Sequence, residues 1–232
     1  MVLQEEYLTS IKKGIENLNQ TEFNNLIENL KKIHEENKPK HFVKIENYLT
    51  SLKKVLDDIN PKELGEIIDI LKKAYDNNRT VFIIGNGGSA STASHFACDL
   101  GKTPMGEHYN SDKKRFIVNS LTDNCATLTA IGNDLSYDEI FYQQLRNLAS
   151  KEDILISISA SGNSPNILKA IDFGNSIGMT TIGFIGFDGG KAAEKILHKI
   201  HIKNHQYGIV EDTHLIIEHM ICEVLKEKLS SK

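Results

Sequence analysis

Apolar residues in the first part of the chain recur at helical spacing: Leu8, Ile11, Ile15 and Leu18, then Leu26, Ile27, Leu30 and Ile33. Such stripes mark amphipathic helices. Lys, Glu and Asn fill the positions between them, and Gly is nearly absent. The pattern changes near residue 79. Beyond it, short β-branched runs at 80–84, 115–119, 153–159, 180–185 and 199–203 are mostly apolar on both faces. They alternate with helical stretches at 89–100, 124–131, 137–149, 164–176, 192–197 and 211–229. Strands apolar on both faces suit a parallel sheet covered by helices. Their alternation with helices predicts βαβ units and a doubly wound α/β sheet. In such sheets ligands bind outside the carboxyl ends of the strands, so chemistry is expected in the loops after residues 84, 119, 159 and 185.

The helical part repeats itself. Tyr7-Leu8-Thr9-Ser10 returns as Tyr48-Leu49-Thr50-Ser51, an offset of 41 that also relates Asn19 to Asn60 and Leu30-Lys31-Lys32 to Leu71-Lys72-Lys73. Each copy reads as two amphipathic helices joined near Asn19 or Asn60-Pro61, and Pro61 suits the first turn of a helix. The predicted organisation is an extra helical hairpin over 1–40, a helical arm over 41–78 and the α/β domain over 79–232. The repeat suits a self-association arm or a solvated helical cap, since both bury the same stripes.

Composition narrows the class. The 232 residues are 40% hydrophobic and 25% charged, those of an ordinary soluble globular protein. A net charge of −4 gives no global footprint for nucleic acid. No run approaches a membrane span, and residues 1–20 lack a signal-peptide core, so a cytoplasmic protein with neither nucleic-acid nor membrane partner is expected. Three widely spaced cysteines, Cys98, Cys125 and Cys222, argue against a disulfide framework and a cysteine zinc site.

The first loop reads Gly85-Asn86-Gly87-Gly88-Ser89, between a strand and a helix. Its glycines permit close backbone approach, Ser89 is a candidate cap, and the helix start offers N–H groups to an anion. Its spacing is not the dinucleotide fingerprint. The loop Ser159-Ala160-Ser161-Gly162-Asn163-Ser164-Pro165 gathers three hydroxyls at another helix start, which suits a phosphate monoester. His95 and Asp99 share one helix face at i and i+4. With Glu211 and His219 on the last helix they offer two imidazoles and two carboxylates, a set suited to zinc or a similar divalent ion. His34, His41, His108, His198, His201, His205 and His214 show no such arrangement.

These motifs, with Asn133-Asp134 and Asp188-Gly189-Gly190, make the segment from about residue 45 to 229 resemble a sugar isomerase (SIS) domain of the phosphoheptose isomerase family. The resemblance implies a flavodoxin-like αβα sandwich behind a helical arm, a homotetramer, and often one zinc ion per subunit. The implied reaction converts sedoheptulose 7-phosphate to D-glycero-D-manno-heptose 7-phosphate, for the heptose of bacterial surface glycans. It assigns substrate contacts to Asn86, Gly87, Gly88, Ser89, Asn133 and Asp134. It makes Ser159, Ala160, Ser161 and Ser164 the phosphate cradle. It makes His95, Asp99, Glu211 and His219 the zinc ligands, with Asp99 and Glu211 also near substrate.

Three positions depart from the family pattern. Asp99 stands for a Glu, Glu211 for a Gln, and Ala160 for a Thr whose backbone N–H is retained. The first copy of the repeat has no counterpart there, and Lys102 is nearest to the family's basic residue after the first helix. Aldose–ketose isomerisation moves a proton between adjacent carbons through an enediol, so it needs a base, an acid/base at the oxygens and stabilisation of negative charge. Asp99 and His219 are the expected pair. The alternatives are an isomerase of another sugar phosphate and a non-catalytic SIS protein that binds the replication initiator. A phosphosugar-sensing regulator would add a basic DNA-binding module, which the acidic, Asn-rich N-terminal helices do not supply.

Overall fold

The computed structural model describes residues 13–14, 17, 19–36, 38–108, 112 and 114–230. Three helices lead: α1 (Gln20–Glu36), α2 (Lys40–Asp57) and α3 (Pro61–Asp76). The stripe from Leu8 to Leu18, expected to form the first helix of the repeat, lies outside the described residues. α1 and α3 begin one repeat apart, and the reason is local. Asn19 Oδ1 accepts the backbone N–H groups of Thr21 and Glu22 at 3.0 Å each, while Glu22 accepts the N–H of Asn19 at 2.9 Å. Asn60 Oδ1 likewise accepts the N–H of Lys62 at 3.0 Å, ahead of Pro61 in the first turn. Each Asn satisfies donors that a helix start leaves unpaired.

The chain divides into two compact units, 1–50 and 51–232. In the first, α1 exposes Phe23, Ile27, Leu30 and Ile33, and α2 exposes Phe42, Ile45 and Leu49. The second is the α/β domain. Its sheet has five parallel strands, β1 (Thr80–Gly85), β2 (Ile117–Ser120), β3 (Ile154–Ser159), β4 (Thr180–Gly186) and β5 (His198–Ile202), in the order β2-β1-β3-β4-β5. That is the flavodoxin order. Its register sets Val81 beside both Val118 and Ile154, Ile156 beside Ile182, and Phe184 beside Ile200.

The helices are α4 (Gly88–Lys102), α5 (Cys125–Asp134), α6 (Ile140–Leu148), α7 (Pro165–Ile177), α8 (Ala192–Lys195) and α9 (Tyr207–Ser230). α3, α4 and α9 pack on one face of the sheet, and α6, α7 and α8 on the other. β1, β3 and β4 are buried almost end to end, as two-sided cover requires. Phe82, Phe141, Leu145, Leu155 and Ile171 fill one interface. On the opposite side Phe96 of α4 stacks on Phe184 of β4, with ring centroids 6.0 Å apart. Among the described residues no helix is long and apolar enough to cross a membrane.

Some boundaries differ from expectation. The helix expected at 137–149 opens with a 3-10 turn, Tyr137–Glu139, before α6. α9 starts at Tyr207, four residues ahead of 211. α4 is followed by a 3-10 segment, Thr103–His108, because Pro104 cannot continue the helix. β2 is the shortest strand and lies at an edge, with Ile117 exposed.

Candidate functional site

The loop after β1 turns at Gly87, whose φ of 56° lies in the region that favours glycine. Gly87 is the N-cap of α4, so Ser89 does not cap the helix. It sits buried within the first turn instead. The Asn86 amide is fixed from two sides. It pairs reciprocally with the Asn166 amide, 2.9 Å in each direction, and its Oδ1 also accepts the Tyr137 hydroxyl at 3.0 Å.

The loop after β3 wraps a tight turn. Ser159 Oγ accepts the N–H of Gly162 at 3.1 Å, and Ser161 Oγ accepts that of Asn163 at 3.3 Å. Gly162 has φ +62°, and a Cβ there would stand 2.0 Å from the Gly189 carbonyl oxygen. The Asp188-Gly189-Gly190 loop braces this turn: Asn163 Oδ1 accepts the Lys191 N–H at 3.1 Å, and Gly162 accepts that of Ala192 at 2.9 Å. Ser164 is the N-cap of α7 and its hydroxyl makes no capping bond, which leaves that hydroxyl for a ligand.

Asn86, Ser89, Ser159, Ala160, Ser161, Ser164 and Glu211 line one pocket, to which Ile158 and Tyr207 add the sides. Larger pockets lie at residues of α2, α3 and β5 and at the amino ends of the strands, and the residues of these loops do not line them. Gly88 forms part of the same corner, because a Cβ on it would stand 2.6 Å from a carboxylate oxygen of Glu211. Asn133 and Asp134, at the end of α5, are exposed, joined by a 2.9 Å hydrogen bond, and not among the residues lining this pocket.

α4 and α9 pack against each other and carry the second cluster. His95, Asp99, Glu218 and His219 each present a donor atom within 4.8 Å of the other three. His95 Nδ1 lies 3.9 Å from Asp99 Oδ2 and 2.5 Å from Glu218 Oε1. His219 Nε2 lies 3.7 Å from Asp99 Oδ2 and 3.6 Å from Glu218 Oε1. The imidazoles cross edge to face at 5.1 Å. Three of the four residues proposed as ligands from sequence are thus together. Glu211 is not in this group and faces the serine-lined pocket.

Sequence reasoning missed Glu218. Its side chain is fully buried, and among the described residues its Oε2 has no hydrogen-bond partner. Burial holds its carboxyl above the usual range, opposed by the hydrogen bond from His95. The signal was a charge on a buried stripe: Val210, His214, Ile217, Glu218, Ile221 and Leu225 all face inward from α9. A buried carboxylate with an orphaned oxygen, beside two imidazoles and a second carboxylate, fits a divalent cation by both charge and donor chemistry. One turn on, burial pushes the Cys222 thiol upward, with the Glu218 charge adding to it, which favours the neutral thiol.

Comparison with known proteins places this geometry among relatives. The SIS domain family model matches residues 46–186. The chain is 38% identical over 150 residues to a phosphoheptose isomerase of Aliarcobacter butzleri, covering 65% of this chain and 77% of that protein. It is 36% identical over 152 residues to one from Helicobacter pylori, covering 66% and 77%. Among solved structures, a phosphoheptose isomerase from Neisseria gonorrhoeae superposes with a TM-score of 0.68 at 27% identity, over 81% of this chain and 95% of that one. One from Francisella tularensis, at 24% identity, shares the fold with a TM-score of 0.73 over 81% and 97%.

Proposed function

The chain belongs to the SIS domain family and, within it, to the phosphoheptose isomerases, and from that premise we propose that it converts sedoheptulose 7-phosphate to D-glycero-D-manno-heptose 7-phosphate. In this reading it works as a cytoplasmic homotetramer with one zinc ion per subunit, supplying heptose for a surface glycan. The observation that carries it is the sharing of one helix seam by the serine-lined pocket and the His95, Asp99 and His219 cluster. His95 stands seven residues along α4 from Gly88, about 10 Å at the helical rise. That order of separation suits a sugar phosphate with its phosphate in the pocket and its carbonyl at the cluster.

In this mechanism, backbone N–H groups of the 159–164 loop and the hydroxyls of Ser161 and Ser164 hold the phosphate, and that remote binding positions the reacting carbons. Asn86, held by Asn166 and Tyr137, orients the sugar hydroxyls. Asp99 takes the proton from C1 of the ketose and returns it to C2 of the enediol. His219 gives a proton to the carbonyl oxygen and accepts one from the neighbouring hydroxyl. His95, Asp99, His219 and a further carboxylate would hold the zinc, which when bound polarises the carbonyl and steadies negative charge on the oxygens.

The test is direct. Protein purified without chelators is assayed on sedoheptulose 7-phosphate and on a panel of C5 to C7 ketose phosphates. Preferred turnover of the heptulose phosphate supports the assignment. Turnover confined to a shorter sugar phosphate would replace the substrate and keep the chemistry, an outcome that the Asp99, Glu211 and Ala160 departures make worth testing.

A further inference from the structure

Glu218 is the one residue of the four-donor cluster to which the family resemblance assigns no role, and it is the most deeply buried of the four. The geometry points to Glu218 as a metal ligand, completing with His95, Asp99 and His219 a four-donor site in which Glu211 takes no part. The inference rests on the metal-assisted reading above and deepens it.

Three observations converge. First, the donor atoms have the spacing of a coordination shell. A tetrahedral zinc ion with bonds of about 2.0–2.1 Å sets its ligand atoms about 3.3–3.4 Å apart. Three of the separations here are 3.6, 3.7 and 3.9 Å. Of the other three of the six, the 2.5 Å between His95 Nδ1 and Glu218 Oε1 is the edge that an ion would lengthen, and the remaining two lie within 4.8 Å. Second, the Glu218 side chain is fully excluded from solvent and its Oε2 is unpartnered among the described residues. A buried carboxylate with an orphaned oxygen is costly unless a cation compensates it. One imidazole hydrogen bond to Oε1 leaves the other oxygen uncompensated. Third, Glu211 is engaged elsewhere, against Gly88 and in the serine-lined pocket.

The consequence is chemical. Two carboxylates and two neutral imidazoles neutralise a divalent ion, so the loaded site carries no net charge. The half-exposed imidazole side of the cluster stays open to the carbonyl end of a substrate. Glu211 keeps its own charge near the phosphate-binding loop, where it can accept sugar hydroxyls.

Cobalt(II) serves as the probe, because its visible absorption reports ligand identity and geometry independently of turnover. The native chain, Glu218→Gln, Glu218→Leu and Glu211→Gln are stripped of metal and titrated with cobalt, and the metal-free melting temperature of each is recorded. Glu218→Leu keeps the side-chain bulk and removes the orphaned oxygen, so it is expected to fold with a melting temperature at or above that of the metal-free native chain. The expected result is loss of cobalt affinity by more than roughly 100-fold in Glu218→Leu, beyond the roughly 10- to 100-fold of an outer-shell change. Glu218→Gln gives an altered spectrum, and Glu211→Gln keeps the native spectrum and affinity. Native spectrum and affinity in both Glu218 variants would overturn the assignment while leaving the metal reading intact. A native chain that binds no cobalt at all would overturn the metal reading itself.

Discussion

Glu218 Oε1 lies 2.5 Å from His95 Nδ1 across the seam between α9 and α4, joining residues 123 positions apart in sequence. Around that contact stand Asp99 and His219, both within 4 Å of one or both partners. The seam exists because α4 and α9 bury apolar stripes against the same sheet face, Phe96 and Leu100 from one and Ile217 and Ile221 from the other.

Asp99 is the proposed base, and its carboxylate stands 3.7 Å from His219. Asp99→Asn is expected to lower kcat by roughly 10²–10⁴-fold, the usual weight of a positioned acid or base. His219→Ala is expected to do the same or more. Steady-state kinetics on circular-dichroism-checked variants measure this; native kcat in both would remove them from the mechanism.

The 159–164 loop is expected to act on binding. Ser161→Ala should raise KM with kcat little changed. Gly162→Ala is more severe, because it combines a left-handed backbone with a Cβ 2.0 Å from the Gly189 oxygen. A stability loss of about 2–4 kcal/mol is expected from those two effects. Urea unfolding beside KM determination checks both, and an unchanged KM in Ser161→Ala would move the phosphate elsewhere.

Asn166 does not itself line the pocket, yet it holds the pocket residue Asn86 through two amide hydrogen bonds. Asn166→Ala is expected to raise KM roughly tenfold, about 1.4 kcal/mol of lost positioning, and to leave metal binding unchanged. Tyr137→Phe, which removes only the third hydrogen bond to Asn86, should have a smaller effect in the same direction.

His214 sets a pH dependence of stability. It is completely buried, neither ring nitrogen makes a well-formed hydrogen bond, and burial pushes it down from 6.5 to about 4 against a weaker pull from the Ile185 carbonyl. The unfolded chain therefore binds the proton first. Stability from this group is whole above pH 6.5, falls as pH drops toward 4, and changes no further below that. By pH 5 the loss is about 2 kcal/mol. His214→Phe should unfold with a flatter pH profile between 7 and 5, measured by urea titration at each pH. A profile parallel to that of the native chain would show that His214 is not the cause.

Much of this was legible in the sequence because it rests on local chemistry. Alternating β-branched runs and helical stripes specify a parallel sheet, and Gly87 and Gly162 mark turns whose positive φ favours glycine. Asn60 and Pro61 mark a helix start. His95 and Asp99 pair at i and i+4 on one helix, so their shared face follows from 3.6 residues per turn. Ser89 does not cap the helix because Gly87, two positions ahead of it, already does. Glu218 was not found because its partner lies on another helix, and the fold alone brings them together. Its place on the buried stripe of α9, between Ile217 and Ile221, was the trace it left.

The most direct measurement takes one chelator-free preparation and determines its metal content and its turnover of sedoheptulose 7-phosphate, before and after a chelator. Close to one zinc per chain, with isomerisation that the chelator removes and zinc restores, is the predicted result. A metal-free protein that leaves the heptulose phosphate unchanged even when zinc is supplied would contradict the proposed reaction and its metal site together.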